Sequence, residues 1–298
     1  MKNLLLLTLF SCALQAAAQQ DPIYAQYINN PMLINPAYAG SNNMFNAGIQ
    51  YRTQWAGLDD NPTTVNFSSN MSVYRNKAGV GLMVTQDQIG DSKTTEVNGV
   101  FAYRLNFKSS SVSFGMQTGF MRYENDLSKL SVRDPGDPAF TETTETKFNT
   151  GFGVLWKGDR FIMGLSVPRM LPATVSQGGQ EIELYQQHYY LFGSYVFFLS
   201  EKVRFKPAVL LRGTSNSPIS TDLNLSFTYK EYYTAGLITR NFKTYGLLTQ
   251  VLVGKFRLGY VFELPGNGET SLNFTSHELM IGMSMDLLLF HDRAVKTF

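Results

Sequence analysis

A chain of 298 residues in which 25 Lys and Arg nearly balance 23 Asp and Glu, for a net charge of +2, implies no polyanionic partner, and without Lys-rich blocks nucleic-acid binding has no support. Hydrophobic residues make up 44% and mean hydropathy is −0.13, yet charged residues reach only 16%, which is low for a soluble protein of this length. No apolar run approaches the roughly 20 residues that a membrane-spanning helix needs, a test that a β-barrel escapes because only every second residue of its strands faces lipid.

In chain order, Met1-Lys2-Asn3, the apolar run Leu4 to Phe10 and the small residues Ala16-Ala17-Ala18 read as a secretory signal over residues 1–18. The lone cysteine, Cys12, lies inside this leader, so the mature chain is expected to carry no disulfide and no thiol chemistry. A lipoprotein cleavage with Cys12 acylated is the competing reading of Leu9-Phe10-Ser11-Cys12. Residues 19–44, rich in Asn, Pro, Ala and Tyr, show no periodicity and read as an irregular periplasmic or lumen-entering segment.

From residue 45 to 298 the chain reads as a barrel. About fourteen strand-like segments centre near Ile49, Phe67, Leu82, Phe101, Met116, Val154, Met163, Leu191, Val209, Leu225, Leu237, Leu247, Leu258 and Met283. Many alternate cleanly. Leu223, Leu225, Phe227 and Tyr229 oppose Asp222, Asn224, Ser226 and Lys230; Phe256, Leu258, Tyr260 and Phe262 oppose Lys255, Arg257, Gly259 and Glu263. A strand has period two, so one face of each segment can meet lipid while the other meets a polar interior. The fold class expected is therefore all-β, a transmembrane antiparallel barrel of the outer membrane, and the 22 Phe and 16 Tyr suit its interfacial girdles.

The connections give a second signal. Tight ones fall near Arg75–Lys77, Lys108–Ser110, Lys157–Asp159, Ser200–Lys202, Lys230-Glu231 and Gly254. Longer ones are expected at Gly57–Thr63, Gln86–Lys93, Glu124–Lys147, Arg169–Glu183, Gly213–Ser217 and Pro265–Ser276, with only the link near Asn241 short where a long one is due. Barrels carry short periplasmic turns and long extracellular loops, so this rhythm predicts that both termini are periplasmic.

Chemistry is sparse. The charges Arg52, Glu96, Arg104, Asp222, Lys255, Arg257 and Glu263 are expected to face the lumen, where they form either a plugging network or the wall of a water-filled channel. His277 stands between Ser276 and Glu278, but strand neighbours point to opposite faces, so no triad is expected. Asp134, Asp137 and Glu142 lie in the loop at 124–147 without a calcium-loop spacing, and no His or Cys spacing suits a metal. No cofactor is expected. Met170, Leu171 and Val175, in the loop at 169–183, are candidates for rim packing or an entry site.

Ordered short blocks also carry a resemblance. Gln26-Tyr27, Asn30-Pro31 and Ile34-Asn35-Pro36-Ala37-Tyr38-Ala39-Gly40-Ser41 resemble the opening signature of the PorP/SprF family, and Tyr51-Arg52-Thr53-Gln54-Trp55 is similar to its Arg-x-Gln-Trp strand. Asp222-Leu223-Asn224, Leu258-Gly259-Tyr260 and Ser276-His277-Glu278 are similar to later family blocks, so the resemblance spans nearly the whole mature chain. Residues 291–298 depart from it by continuing past the expected final strand. What the resemblance implies is a non-enzymatic outer-membrane barrel of the type IX secretion system and gliding motility. Its partners would be outer-membrane lipid and either a secreted adhesin or the periplasmic lipoprotein and ring components. Candidate partner-facing residues are then Asp134, Asp137, Met170 and Leu171. A channel for a small or amphipathic solute remains the alternative.

Overall fold

The computed structural model describes residues 24–126, 142–177, 180–214, 217–266 and 274–288. The leader with Cys12, the loop residues Asp134 and Asp137, and residues 289–298 lie outside the described residues. Two short 3-10 turns, Pro31–Leu33 and Pro36–Tyr38, precede seventeen strand elements. The first seven are β1 (Phe45–Ala56), β2 (Thr63–Val73), β3 (Ala78–Ile89), β4 (Ser92–Asn106), β5 (Ser110–Asn125), β6 (Thr143–Gly158) and β7 (Phe161–Val167). A separate hairpin follows, β8 (Ala173–Gln177) and β9 (Gln180–Tyr185). Then come β10 (Tyr189–Tyr195), β11 (Phe197–Phe198), β12 (Val203–Thr214), β13 (Ser217–Tyr229), β14 (Tyr233–Arg240), β15 (Thr244–Val253), β16 (Phe256–Pro265) and β17 (Thr275–Met285).

Every pairing is antiparallel between neighbours. β1 pairs with β17 (Ile49 opposite Ile281) and so closes the ring, while β10 and β11 run on as one strand along β12. The result is a closed barrel of fourteen strands, and each of the fourteen expected centres lies on one of them. Closure leaves no unpaired strand edge, the condition for crossing lipid with strands.

Alternation decides which way each side chain points. On β5, Phe114, Met116 and Phe120 are exposed outward while Ser113, Gln117 and Met121 are buried inward. On β13, Leu225, Phe227 and Tyr229 face out and Asp222, Asn224 and Ser226 face in. Outward aromatics stack across strands at one end of the barrel: Tyr195, Phe197, Phe205 and Phe227 stand 4.7, 6.0 and 4.8 Å apart in succession, and Trp156 meets Phe161 at 4.7 Å. Rings with an apolar body gather at the boundary between hydrocarbon and headgroups, and this row marks one such boundary.

The row lies at the end where the connections are tight. Left-handed backbone at Lys230 and Glu231 (φ 50° and 65°) turns β13 into β14 in the sense that matches strand twist. The opposite end carries the longer connections, but fewer than the sequence suggests. Gln86–Lys93 is almost entirely strand, with Ile89 opposite Ser92, and at Gly213–Ser217 Thr214 already faces Ser217. In both places the strands extend further than their apolar patterns, because backbone pairing continues where both faces have turned polar. The stretch expected as an open loop at 169–183 instead folds into the hairpin β8–β9.

Candidate functional site: a segment latched inside the lumen

Residues 24–41 run down the inside of the barrel from the long-loop end to the short-turn end, and nearly all of them are buried. The local form of this stretch follows from its composition. Proline supplies the fixed φ that starts each 3-10 turn, and Asn35 caps the second one by accepting the Ala37 N–H at 2.9 Å. The same Asn35 donates through Nδ2 to the carbonyls of Val154 and Leu165 at 3.0 and 3.3 Å, so one side chain caps the turn and ties it to β6 and β7.

At the long-loop end the latch is ionic. The Glu278 carboxylate is wholly buried and accepts the backbone N–H groups of Ala25 and Gln26 at 2.8 and 2.9 Å, while Gln26 Nε2 donates back to the Glu278 carbonyl at 3.2 Å. Arg52 bridges Glu278 (3.2 Å) to Glu263 (2.5 Å), and Arg240 bridges Glu263 (3.6 Å) to Asp222 (3.1 Å). The chain Glu278–Arg52–Glu263–Arg240–Asp222 thus links β17, β1, β16, β14 and β13. Buried charges are tolerable only when paired in this way. Farther along, Asn30 donates to Ser68 (2.7 Å), Ser166 to the Ile34 carbonyl (2.5 Å), Asn70 accepts the Gly40 N–H (3.1 Å) and Lys157 Nζ donates to the Ser41 carbonyl (3.0 Å). Tyr27 packs edge-on against Phe192 at 5.9 Å.

The wall is shaped to receive the segment. A Cβ placed on Gly79, Gly115 or Gly153 would overlap Ala39, Ala37 and Asn35 respectively, so the segment lies where β3, β5 and β6 have no side chain. Beside it, a cavity of about 30 Å³ among Tyr24, Leu33, Met83, Glu96, Arg169 and Tyr190 has room for little more than a water.

The sequence-derived residues therefore divide. Asn35, Pro36, Ala37, Tyr38 and Gly40 form the lower half of the lumen segment, and Arg52, Asp222, Glu263 and Glu278 form the latch. Asn224 is buried on the lumen face of β13 beside Asp222. Gln54 and Trp55 sit at the long-loop rim, where β1 bulges and Trp55 (φ 52°) donates its N–H to Ser276 Oγ at 3.2 Å. Glu96 is held by Arg169 (2.5 Å) and Asn98 (2.7 Å) near that rim. Arg104 and Arg257 face the lumen at the short-turn end. Lys255 is a correction: it occupies the β15–β16 turn, exposed, with Nζ 5.7 Å from the Phe256 ring centre, because the turn at Gly254 ends the alternation one residue before the strand resumes.

Met170 and Leu171 are exposed at the long-loop rim, and the Leu171 carbonyl accepts Tyr185 Oη (2.5 Å) and Asn149 Nδ2 (2.7 Å), which fastens the β8–β9 hairpin to the barrel. Arg169 also lies over the Tyr185 ring at 5.3 Å. Arg240 and Arg169 are residues of these contacts that sequence reasoning missed, while Gln26 was noted only as part of the opening family block. Extending the inward series Gly236, Ile238 by one step reaches Arg240, whereas Arg169, outside any strand, has no periodicity to reveal it.

Catalytic geometry does not assemble around His277. Its Nδ1 meets Tyr260 Oη at 2.7 Å and its Nε2 meets Thr275 Oγ1 at 3.0 Å on the outer face, while Ser276 and Glu278 are buried on the inner one. His277→Ala is accordingly expected to shift unfolding stability by no more than about 1 kcal/mol, the value of one partly exposed hydrogen-bonded ring; a loss above about 3 kcal/mol, in the range of breaking a buried network, would contradict this placement. Among the described residues no group of three His, Cys, Asp or Glu side chains is placed to hold a metal.

A closed, even-stranded antiparallel barrel with an apolar outside and a polar inside defines an outer-membrane protein of a Gram-negative bacterium. Solved barrels agree in fold. The chain is similar to the CymD monoaromatic hydrocarbon channel (12% identity, 93% of this chain and 95% of that one, TM-score 0.53) and to the Ralstonia pickettii toluene transporter TbuX (10% identity, 86% and 92%, TM-score 0.52). No curated protein matches. The family model described as type IX secretion system membrane protein PorP/SprF matches residues 16–283, and the chain belongs to that family.

Proposed function

We propose that this barrel is a non-enzymatic scaffold of the type IX secretion system whose working surfaces are its two ends, with its short-turn end toward the periplasm. The observation that carries this reading is the lumen itself: residues 24–41 run through it, nearly all buried and bonded to strands around the barrel, which favours the ends over a bore as the surfaces offered to partners. At the long-loop end the exposed Met170 and Leu171 and the β8–β9 hairpin stand ready to meet an exported protein, and Asp134 and Asp137, outside the described residues, are the further candidates for that contact. A short hairpin beside exposed apolar rim residues favours docking by strand and side-chain contacts. Holding a secreted adhesin at the surface, as in gliding motility, and serving the export machine are two forms of this one role.

Gentle-detergent capture of the tagged full-length barrel from outer membranes, followed by mass spectrometry, tests the proposal. One large secreted protein at near-equal amount is the result expected for an anchor, and periplasmic lipoprotein and ring components the result expected for an export part. Recovery of the barrel with general assembly factors alone would overturn both. The likeness to hydrocarbon channels is the one observation favouring a solute channel, and it is a likeness of fold. Reconstituted barrels that conduct, or solute uptake that falls on deletion, would establish that alternative.

A further inference from the structure

Among the described residues, four cations face the lumen at the short-turn end with no acid acting on them. Arg104 and Lys157 lie within electrostatic reach of each other, as do Lys206 and Arg257, and both arginines lie within such reach of Tyr38. No carboxylate is among the groups acting on any of the four. This contrasts with the other end, where Arg52, Arg240 and Arg169 each meet an acid. Protein acceptors serve only half of the set: Arg104 reaches Ser113, Asn43 and the Asn76 carbonyl, and Lys157 reaches the Ser41 carbonyl. Arg104 Nη2 and Arg257 Nε are buried without an acceptor, and the Lys206 ammonium makes no hydrogen bond or ion pair among the described residues.

Unpaired charge in a barrel interior is costly enough that two pairs of like charges, with one arginine of each pair in reach of the Tyr38 ring, call for a counter-ion. Lys206 and Arg257 are only partly covered, so an anion can reach them from the turn end. We propose that this end of the lumen is an oxyanion seat, in which Arg257 and Lys206, backed by Arg104 and Lys157, bind one phosphate or carboxylate group against Tyr38. Guanidinium and ammonium donors hold such groups by charge-assisted hydrogen bonds, the arginine giving direction and the lysine charge. The seat is independent of which secretion partner the barrel serves.

The test uses the purified full-length barrel in detergent, with inorganic phosphate and citrate as probes against chloride at equal ionic strength. A ligand that binds only the folded state raises the unfolding midpoint progressively with concentration. The expected result is such a rise with phosphate or citrate, and a tenfold or greater loss of apparent affinity in both Lys206→Gln and Arg257→Gln. A response to phosphate alone assigns a phosphate group, and one to citrate alone a carboxylate. Without ligand, each variant should be as stable as the parent or more so, because an uncompensated charge has been removed. No oxyanion-specific rise in the parent, an equal rise in the variants, or variants that are destabilised in chloride would each overturn the seat.

Discussion

Glu278→Ala is expected to lower the barrel's unfolding free energy by about 3–5 kcal/mol, the range for removing one partner from a buried ionic network. Three losses converge on that carboxylate. The N–H groups of Ala25 and Gln26 lose their acceptor, and Arg52 loses one of its two acids. Each buried donor left without an acceptor costs about 1–3 kcal/mol, and the sum is held below full additivity because Arg52 retains Glu263. Glu278→Gln keeps an oxygen for one of the amides but not the charge that meets Arg52, so its loss should fall between the alanine variant and the parent. Urea-induced unfolding in detergent, followed by tryptophan fluorescence, reads the difference, and an alanine variant whose midpoint matches the parent would falsify the latch. Protease cleavage near residue 24, absent in the parent and present in Glu278→Ala, is the accompanying sign that the upper part of the segment has come free.

The second large effect is steric. Gly115→Ala places a methyl where the backbone of Ala37 already lies, and the opposing atoms are main chain, unable to swing aside. Overpacking of this kind costs about 1–3 kcal/mol if the structure shifts to absorb it. Here the structure has an alternative, since the segment can leave that part of the lumen. Gly115→Ala is therefore expected both to lose about 2–3 kcal/mol and to conduct ions in planar bilayers at a level above the parent. Gly99→Ala is the control. Its Cβ would meet nothing nearer than a carbonyl oxygen at 3.9 Å on the outer face, and it should change neither quantity. If the two variants behave alike, the close approach of Ala37 to β5 carries no weight.

The sequence made the barrel legible because strand alternation leaves a regular record. Leu223, Leu225 and Phe227 against Asp222, Asn224 and Ser226 can be assigned to faces without any knowledge of neighbours. Where a strand has two polar faces, as in Gln86–Lys93, that record fades although the backbone pairing persists. The β8–β9 hairpin had a signal that went unused, the Gly178-Gly179 pair between two short runs. Arg52, Asp222 and Glu263 were legible as inward residues but not as one latch, because their joining depends on Arg240, on Glu278 and on the route of residues 24–26. That route left no periodic mark of its own. Its imprint lies elsewhere, in the inward glycines of β3, β5 and β6, whose missing side chains leave room for the chain beside them.

The way residues 24–41 pass through a closed ring also constrains how the molecule can be made. Residues 24–41 are made before the strands that encircle them, and β17, the last of the described strands, carries the Glu278 that grips them. Closing the β1–β17 seam, ten paired positions long, sets Glu278 opposite Arg52 and so completes the acceptor that Ala25 and Gln26 require. A barrel that zips shut around the segment latches it in the same step, whereas one that shuts without it must thread it in from the short-turn end before the latch can form.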